Sequence, residues 1–198
     1  MTTRQTVARI DRRAFVRDLL SGIPEALVVT GLGSPSYDLY AAGARELNFY
    51  LWGAMGAAVP LGLGLALAQR DRSVVVITGD GEQLMGIGAL ASVAACAPAN
   101  LTVIVLDNGH YGETGMQASH TSLGTDLAAV ARGFGIADAR RIERHEDVDA
   151  LAARINGRHG TAFAQVLIDP SEPPRALPPR DGVANKNSFR AALGFPTF

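Results

Sequence analysis

Ser73-Val74-Val75-Val76-Ile77-Thr78-Gly79-Asp80-Gly81-Glu82 is the stretch on which the fold turns. Its β-branched run shows no alternation of apolar and polar residues, the pattern of a strand covered on both faces of a parallel sheet. It ends in a turn with two glycines and leads into a small-residue helix from Gln83 to Cys96, stopped by Pro98. Downstream, Leu101 to Leu106 reads as a second buried strand, followed by a Gly-rich loop from Asn108 to about Ser122. A helix from Asp126 to Gly133, a strand from Ile136 to Ala139, a helix from Glu146 to Asn156 and a strand from Ala162 to Ile168 complete the series. Upstream lie a buried helix from Ala54 to Gln69, a short strand from Ala26 to Thr30 ending at Gly31-Leu32-Gly33, and a helix from Asp11 to Leu20 with Phe15, Val16 and Leu19 on one face. Alternation of this kind predicts an α/β fold: an open, doubly wound, mostly parallel sheet with helices on both faces. One domain spans 1–168. Beyond it Pro170, Pro173, Pro174, Pro178 and Pro179 bar helix and sheet, so 169–198 is expected to be an extended arm lying on a surface.

At 198 residues and 47% hydrophobic content the chain is long enough for one core and short for two. Lys plus Arg number 18 against 19 Asp plus Glu, with no basic cluster, so no field is available to gather a nucleic acid. The charge-free stretch from Leu47 to Ala68 approaches the ~20 residues of a membrane span, but it holds Asn48, Pro60 and a high density of Gly and Ala, which suits tight packing instead. A lone Cys96, expected in the core, can form no internal disulfide, and Met1-Thr2-Thr3-Arg4-Gln5 has no apolar segment of a signal peptide; the expected compartment is the cytoplasm.

In open parallel sheets ligands sit beyond the carboxyl ends of the strands, which directs attention to the loops after Thr30, Thr78 and Leu106. Glycines at 79 and 81 let backbone approach a phosphate. A dinucleotide fingerprint fails here, since position 84 is Leu and Asp80 stands between the glycines. A carboxylate beside a pyrophosphate is repulsive unless a divalent cation lies between them, and Mg²⁺ commonly bridges one or two protein oxygens to phosphate oxygens. Asn108, 28 positions after Asp80, brings an amide oxygen to the end of the next strand, about one strand-helix-strand crossover away.

The segment from Gly79-Asp80-Gly81-Glu82 through Asp107-Asn108 resembles the binding motif of thiamine diphosphate (ThDP) enzymes, in which Gly-Asp-Gly is followed one crossover later by Asn. The resemblance implies Mg²⁺ held by Asp80, Asn108 and the backbone carbonyl of His110; the commoner Asn-Asn ending is Asp107-Asn108 here, which spares the liganding residue. Trp52-Gly53-Ala54-Met55-Gly56 is similar to the segment of ThDP-dependent decarboxylases where a Gly carbonyl receives the cofactor's 4′-amino group and an apolar residue props it in a bent shape, roles that would fall on Gly53 and Met55. Bending sets the 4′-amino nitrogen against the thiazolium C2–H, so that proximity makes a feeble carbon acid ionise. The cofactor contacts implied are Gly31, Leu32, Gly53, Ala54, Met55, Asp80, Gly81, Glu82, Asn108, His110, Tyr111 and Gly112, with Tyr111 packed beside the diphosphate. Family members use a glutamate from a second domain. Glu25 and Glu46 read as solvated loop residues, so that glutamate is expected from an α-type subunit carrying the pyrimidine-binding domain, in a heterotetramer or larger assembly.

Phe49 to Gly56 and Asp107 to Gln117 resemble the β subunit of sulfopyruvate decarboxylase and the matching half of phosphonopyruvate decarboxylase. That implies a carboxy-lyase converting a small 2-oxo acid with a terminal anion, 3-sulfopyruvate or phosphonopyruvate, to the aldehyde and CO₂. Alternatives are a decarboxylase or carboligase for another 2-oxo acid, a non-catalytic regulatory subunit, and an NAD-dependent oxidoreductase. His110 and Glu113 are the candidate proton carriers, with His120 a further one. A terminal anion normally wants Arg or Lys, yet the loop from Asn108 to Ser122 has neither, offering Thr114, Gln117 and Ser119 besides its histidines; a partner could supply the cation.

Overall fold

The structure, a computed structural model, describes residues 9–197; the first eight residues of the expected 1–168 domain, Met1 to Gln5 among them, and Phe198 of the expected arm lie outside the described residues. The strands are β1 (Leu27–Thr30), β2 (Asn48–Tyr50), β3 (Val74–Gly79), β4 (Leu101–Asp107), β5 (His110–Tyr111), β6 (Gln117–Ala118), β7 (Asp138–Ile142) and β8 (Ala162–Leu167). Six of them form one sheet in the order β2-β1-β3-β4-β8-β7, and every pairing in it is parallel. β5 and β6 make a separate antiparallel hairpin. The helices are α1 (Arg12–Gly22), α2 (Ser34–Ala41), α3 (Ala58–Ala68), α4 (Asp80–Met85), α5 (Ala89–Cys96), α6 (Leu127–Gly133), α7 (Val148–Gly157) and α8 (Gly182–Ala192).

Side chains alternate across a strand, and β3 feeds both layers. Val75 and Ile77 join Phe15, Leu19, Leu39 and Leu151 under α1, α2 and α7. Val74 and Val76 join Leu63, Leu90 and Leu127 under α3, α5 and α6. All seven residues of β4 are buried, as expected of a central strand with helices on both sides. Asp11 caps α1 by accepting from the Ala14 N–H at 2.8 Å, and Asp126 caps α6 through the Ala129 N–H at 2.8 Å. The chain winds from β1 outward to β2 and then crosses to β3 on the other side, so a crevice opens between the carboxyl ends of β1 and β3. No helix among the described residues is long and apolar enough to cross a membrane.

Several expected elements differ. The helix expected over Ala54 to Gln69 begins only at Ala58, because Gly53 and Gly56 take φ of +73° and +88°, outside the helical range. The helix expected over Gln83 to Cys96 is two, α4 and α5. The break falls where the 53–56 loop rests on Gly86: a Cβ there would lie 2.3 Å from the Gly56 carbonyl oxygen. The strand expected over Ile136 to Ala139 lies at Asp138–Ile142 instead, an edge strand whose exposed Arg140 and Arg141 hide it from an apolarity scan. α2, β2 and the β5–β6 hairpin are additions; α2 follows Gly33 (φ +84°) as its N-cap and has a proline in its first turn.

The C-terminal arm is extended from Asp169 to Arg180, as its prolines require, but then forms α8. No proline falls in Gly182–Ala192, and Asp181 caps the helix by accepting from Val183 and Ala184. α8 packs on the edge strand β2, with Phe189 edge-on to Phe49 and Asn185 Nδ2 donating to the Tyr50 carbonyl at 2.9 Å. Cys96 is exposed rather than in the core. α5 buries Leu90 and Val93 but ends at Cys96, where Ala97 turns left-handed, and its last two residues, Ala95 and Cys96, lie on the exposed side.

Candidate active site

β3 ends at Gly79, and α4 starts at Asp80 with no intervening loop, so the Asp80 and Glu82 side chains are held by a helical turn rather than by a mobile segment. Asp80 is buried; its Oδ2 accepts from the Ser119 hydroxyl and from Thr121 Oγ1, the latter at 3.1 Å. Burial pushes its carboxyl above the ordinary range, the Ser119 hydrogen bond opposing this and the nearby Asp107 charge adding to it. No Lys or Arg pairs with Asp80 among the described residues. The second buried carboxylate of this turn, Glu82, accepts from Thr78 Oγ1 at 2.8 Å and from the Gly56 N–H at 3.3 Å. It fills the space where Gly31 lacks a side chain: a Cβ at Gly31 would lie 1.7 Å from Glu82 Oε2. Burial raises the Glu82 carboxyl too, against those two hydrogen bonds.

Register places Gly79 opposite Leu106, which brings the Asp107-Asn108 turn beside Asp80. Asp107 is buried and shapes this turn: Oδ1 accepts from the Gly109 N–H at 3.0 Å and Thr121 Oγ1 at 2.7 Å, and Oδ2 accepts from Gln165 Nε2 at 2.6 Å. Asn108 Oδ1 accepts from the His110 N–H at 2.9 Å, and His110 Nδ1 lies 2.8 Å from the Asn108 carbonyl. Gly81 is a close-approach position, since a Cβ there would meet the Tyr111 ring at 2.4 Å.

These elements surround one cleft. Of the expected cofactor contacts, Leu32, Met55, Asp80, Gly81, Glu82, Asn108, His110, Tyr111 and Gly112 line it; Gly31, Gly53 and Ala54 do not, Gly31 lying against the Glu82 side chain. Of the expected proton carriers, His110 and Glu113 line it. Glu113 is engaged by Arg175 at 3.3 Å and by the Tyr37 hydroxyl at 3.4 Å. His120 is exposed and stands outside the cleft. Glu25 and Glu46 are exposed, as expected. Sequence reading missed Arg12, Ser34, Pro35 and Met85 in the lining; Arg12 arrives from α1, far from any motif.

The donors suit Mg²⁺. Among the described residues no three His, Cys, Asp or Glu side chains group as a metal cage. What the adjoining ends of β3 and β4 offer is the Asp80 carboxylate, the Asn108 amide oxygen and loop carbonyls, the hard-oxygen set that Mg²⁺ completes with phosphate oxygens. A buried Asp80 without a cationic neighbour is the group such an ion would relieve.

An open parallel sheet with a carboxylate and an amide oxygen on adjoining strand ends, beside a crevice, defines an α/β domain built to take a phosphate-bearing cofactor. Residues 36–166 match the family model described as thiamine pyrophosphate enzyme, C-terminal TPP binding domain. The chain belongs to that family, and this membership supersedes the dinucleotide alternative. It is 40% identical over 129 residues to sulfopyruvate decarboxylase subunit beta of Methanocaldococcus jannaschii, covering 65% of the chain and 66% of that protein. It is 42% identical over 168 residues to phosphonopyruvate decarboxylase of Streptomyces viridochromogenes, covering 84% of the chain and 42% of that protein. The chain thus spans less than two thirds of the length of either relative. Benzoylformate decarboxylase from Polynucleobacter necessarius shares the fold, with a TM-score of 0.70 and 19% identity over 88% of this chain and 36% of that one.

Proposed function

We propose that this chain is the β-type subunit of a two-subunit, ThDP- and Mg²⁺-dependent decarboxylase that converts 3-sulfopyruvate or phosphonopyruvate to the aldehyde and CO₂. The observation that carries the reading is the buried, uncompensated Asp80 carboxylate facing the Asn108 turn across a cleft floored by Gly81. In this reading Asp80, Asn108 and the His110 carbonyl hold Mg²⁺, and Gly81, Tyr111 and Gly112 flank the diphosphate. Gly53 and Met55 support the bent cofactor, with Ala54 between them. The bound cofactor supplies a nucleophilic carbon and an electron sink. The chain's own residues orient it and handle protons: a proton on His110 Nδ1 donates to the Asn108 carbonyl and leaves Nε2 as the basic nitrogen. Glu113, already engaged by Arg175 and Tyr37, is the less available carrier.

Support for a partner comes from the mouth of the cleft. Met55 is 40% exposed and Met85 59% exposed, apolar surface of the kind a second subunit covers. α3 carries no charge along Ala58–Ala68, yet Pro60, Gly64 and Leu67 face outward; a helix apolar all round is normally buried. The partner in this reading is an α-type subunit that brings the pyrimidine-binding domain and its glutamate, and the assembly is a heterotetramer or larger, in the cytoplasm. Residues 1–168 form the diphosphate-binding domain, and 169–198 an arm that braces β2.

The test is CO₂ release from 3-sulfopyruvate and from phosphonopyruvate by the chain reconstituted with such a subunit. Turnover of either that requires ThDP, Mg²⁺ and both chains is expected. Turnover of pyruvate or benzoylformate alone would assign the enzyme to another 2-oxo acid.

A further inference from the structure

Arg12 is 4% exposed, and its Nε donates to Asp38 Oδ2 at 2.6 Å. Its two terminal nitrogens have no acceptor among the described residues, and it lines the cleft together with Asp80, Asn108 and Gly81. It is the sole Lys or Arg in that lining, where Asp80, Glu82 and Glu113 supply three carboxylates. Neither nitrogen is sealed from solvent, so both can meet a ligand that enters the cleft.

Position decides which acceptor. Arg12 heads α1, on the layer that holds Phe15 and Val16. Met85 sits in the turn between Leu84 and Ile87, which pack on the opposite layer, and the Met55-Gly56 loop comes against its backbone; the reading above puts the reacting end of the cofactor there. Arg12 therefore closes the far end of the cleft, next to Ser34 and Pro35 of α2, and Pro35 Cγ comes within 3.9 Å of a Cβ built at Gly79. A diphosphate carries more negative charge than one divalent cation cancels, the more so beside Asp80.

We infer that Arg12, aimed by Asp38, is a ligand of the cofactor's diphosphate at the end of the cleft opposite Met55. The inference rests on the reading that ThDP occupies this cleft. Asp38 acts as a positioning residue: it is itself buried, shared with Arg13 Nε at 3.4 Å, and by holding Nε it leaves the terminal nitrogens of the fork for the space that Arg12 lines. Arg is suited to this double duty, because one edge can hold a carboxylate while the other meets phosphate oxygens.

The experiment is calorimetric titration of inorganic pyrophosphate with Mg²⁺, of ThDP with Mg²⁺, and of unphosphorylated thiamine into the full chain and its variants. Replacing the buried pair together, Arg12→Met with Asp38→Leu, leaves no buried charge stranded, since Arg13, the second partner of Asp38, is part-exposed and still donates to the Pro174 carbonyl; the variant is expected to keep the fold. Pyrophosphate and ThDP are expected to bind about 10–100-fold more weakly to this variant, the equivalent of a lost charge-assisted hydrogen bond, with thiamine unaffected. Arg12→Lys keeps the charge but loses the fork, and is expected to weaken pyrophosphate as well; this serves if the double variant does not fold. Wild-type pyrophosphate affinity in either folded variant overturns the inference. So does unchanged ThDP affinity with a raised KM for the anionic 2-oxo acid in the reconstituted enzyme, which assigns Arg12 to substrate. Failure of the unmodified chain to bind ThDP would count against the proposed function instead.

Discussion

The backbone N–H of Gly56 donates to Glu82 Oε1 at 3.3 Å. This bond ties the loop after β2 to the first turn after β3, and the same carboxylate fills the space beside Gly31 on the β1 loop. Glu82 thus sets the spacing of three loops around the cleft. Glu82→Gln keeps an acceptor for Gly56 and is expected to leave ThDP affinity within a few-fold of wild type. Glu82→Ala leaves Thr78 and Gly56 without their partner and opens a void, at a cost of about 1–3 kcal/mol. Urea unfolding and ThDP titration of the two variants check this; equal behaviour would contradict it.

Asp80 supplies a pH prediction. Its folded-state carboxyl is raised by burial, so the native state holds its proton longer than the unfolded chain does. Its stabilising contribution is present at low pH and is lost as pH rises from the ordinary carboxylate range through the raised value. Asp80→Asn lacks this loss. Without metal it should be the more stable protein near neutrality by roughly 1 kcal/mol, as expected where an active site carries strain. Its advantage should shrink as pH falls toward about 4. Unfolding midpoints across that range measure it, and a pH-independent difference would count against the burial account.

Gly81→Ala places a methyl group 2.4 Å from Tyr111 Cε1 and 2.6 Å from Cδ1. The ring must move, and ThDP affinity is expected to fall at least about tenfold, the equivalent of roughly 1.4 kcal/mol, with the sheet intact. Trimming the ring in Gly81→Ala/Tyr111→Ala should restore part of the affinity if crowding is the cause. No recovery would show that the backbone at Gly81 itself is what the diphosphate needs.

Phe189 joins the core from α8, edge-on to Phe49 at 5.5 Å between ring centres. Phe189→Ala is expected to destabilise the chain by about 3 kcal/mol. A loss under about 1 kcal/mol would mean that the arm only rests on β2.

Much of this was legible in the residues. β3 and β4 announce themselves as unbroken β-branched runs, and Gly79-Asp80-Gly81 with Asn108 sits where such strands must end. The rest depended on contacts between distant segments. The break between α4 and α5 is imposed by the Gly56 loop pressing on Gly86, a contact that no local propensity contains. α8 follows directly on five prolines, which obscured a capped, proline-free stretch. Arg12 belongs to no motif; only the closing of α1 over the sheet end, through the Ile10–Ile168 bridge, brings it to the cleft.

The central claim is that the cleft at the ends of β1, β3 and β4 holds ThDP through a metal on Asp80. Calorimetric titration of ThDP into the wild-type chain and Asp80→Asn, each with and without Mg²⁺ and with the partner subunit present, tests it most directly. The account predicts binding to wild type that requires Mg²⁺ and is lost in Asp80→Asn while its metal-free unfolding midpoint is no lower than that of wild type. Binding that ignores Mg²⁺, or survives the substitution unchanged, would contradict it.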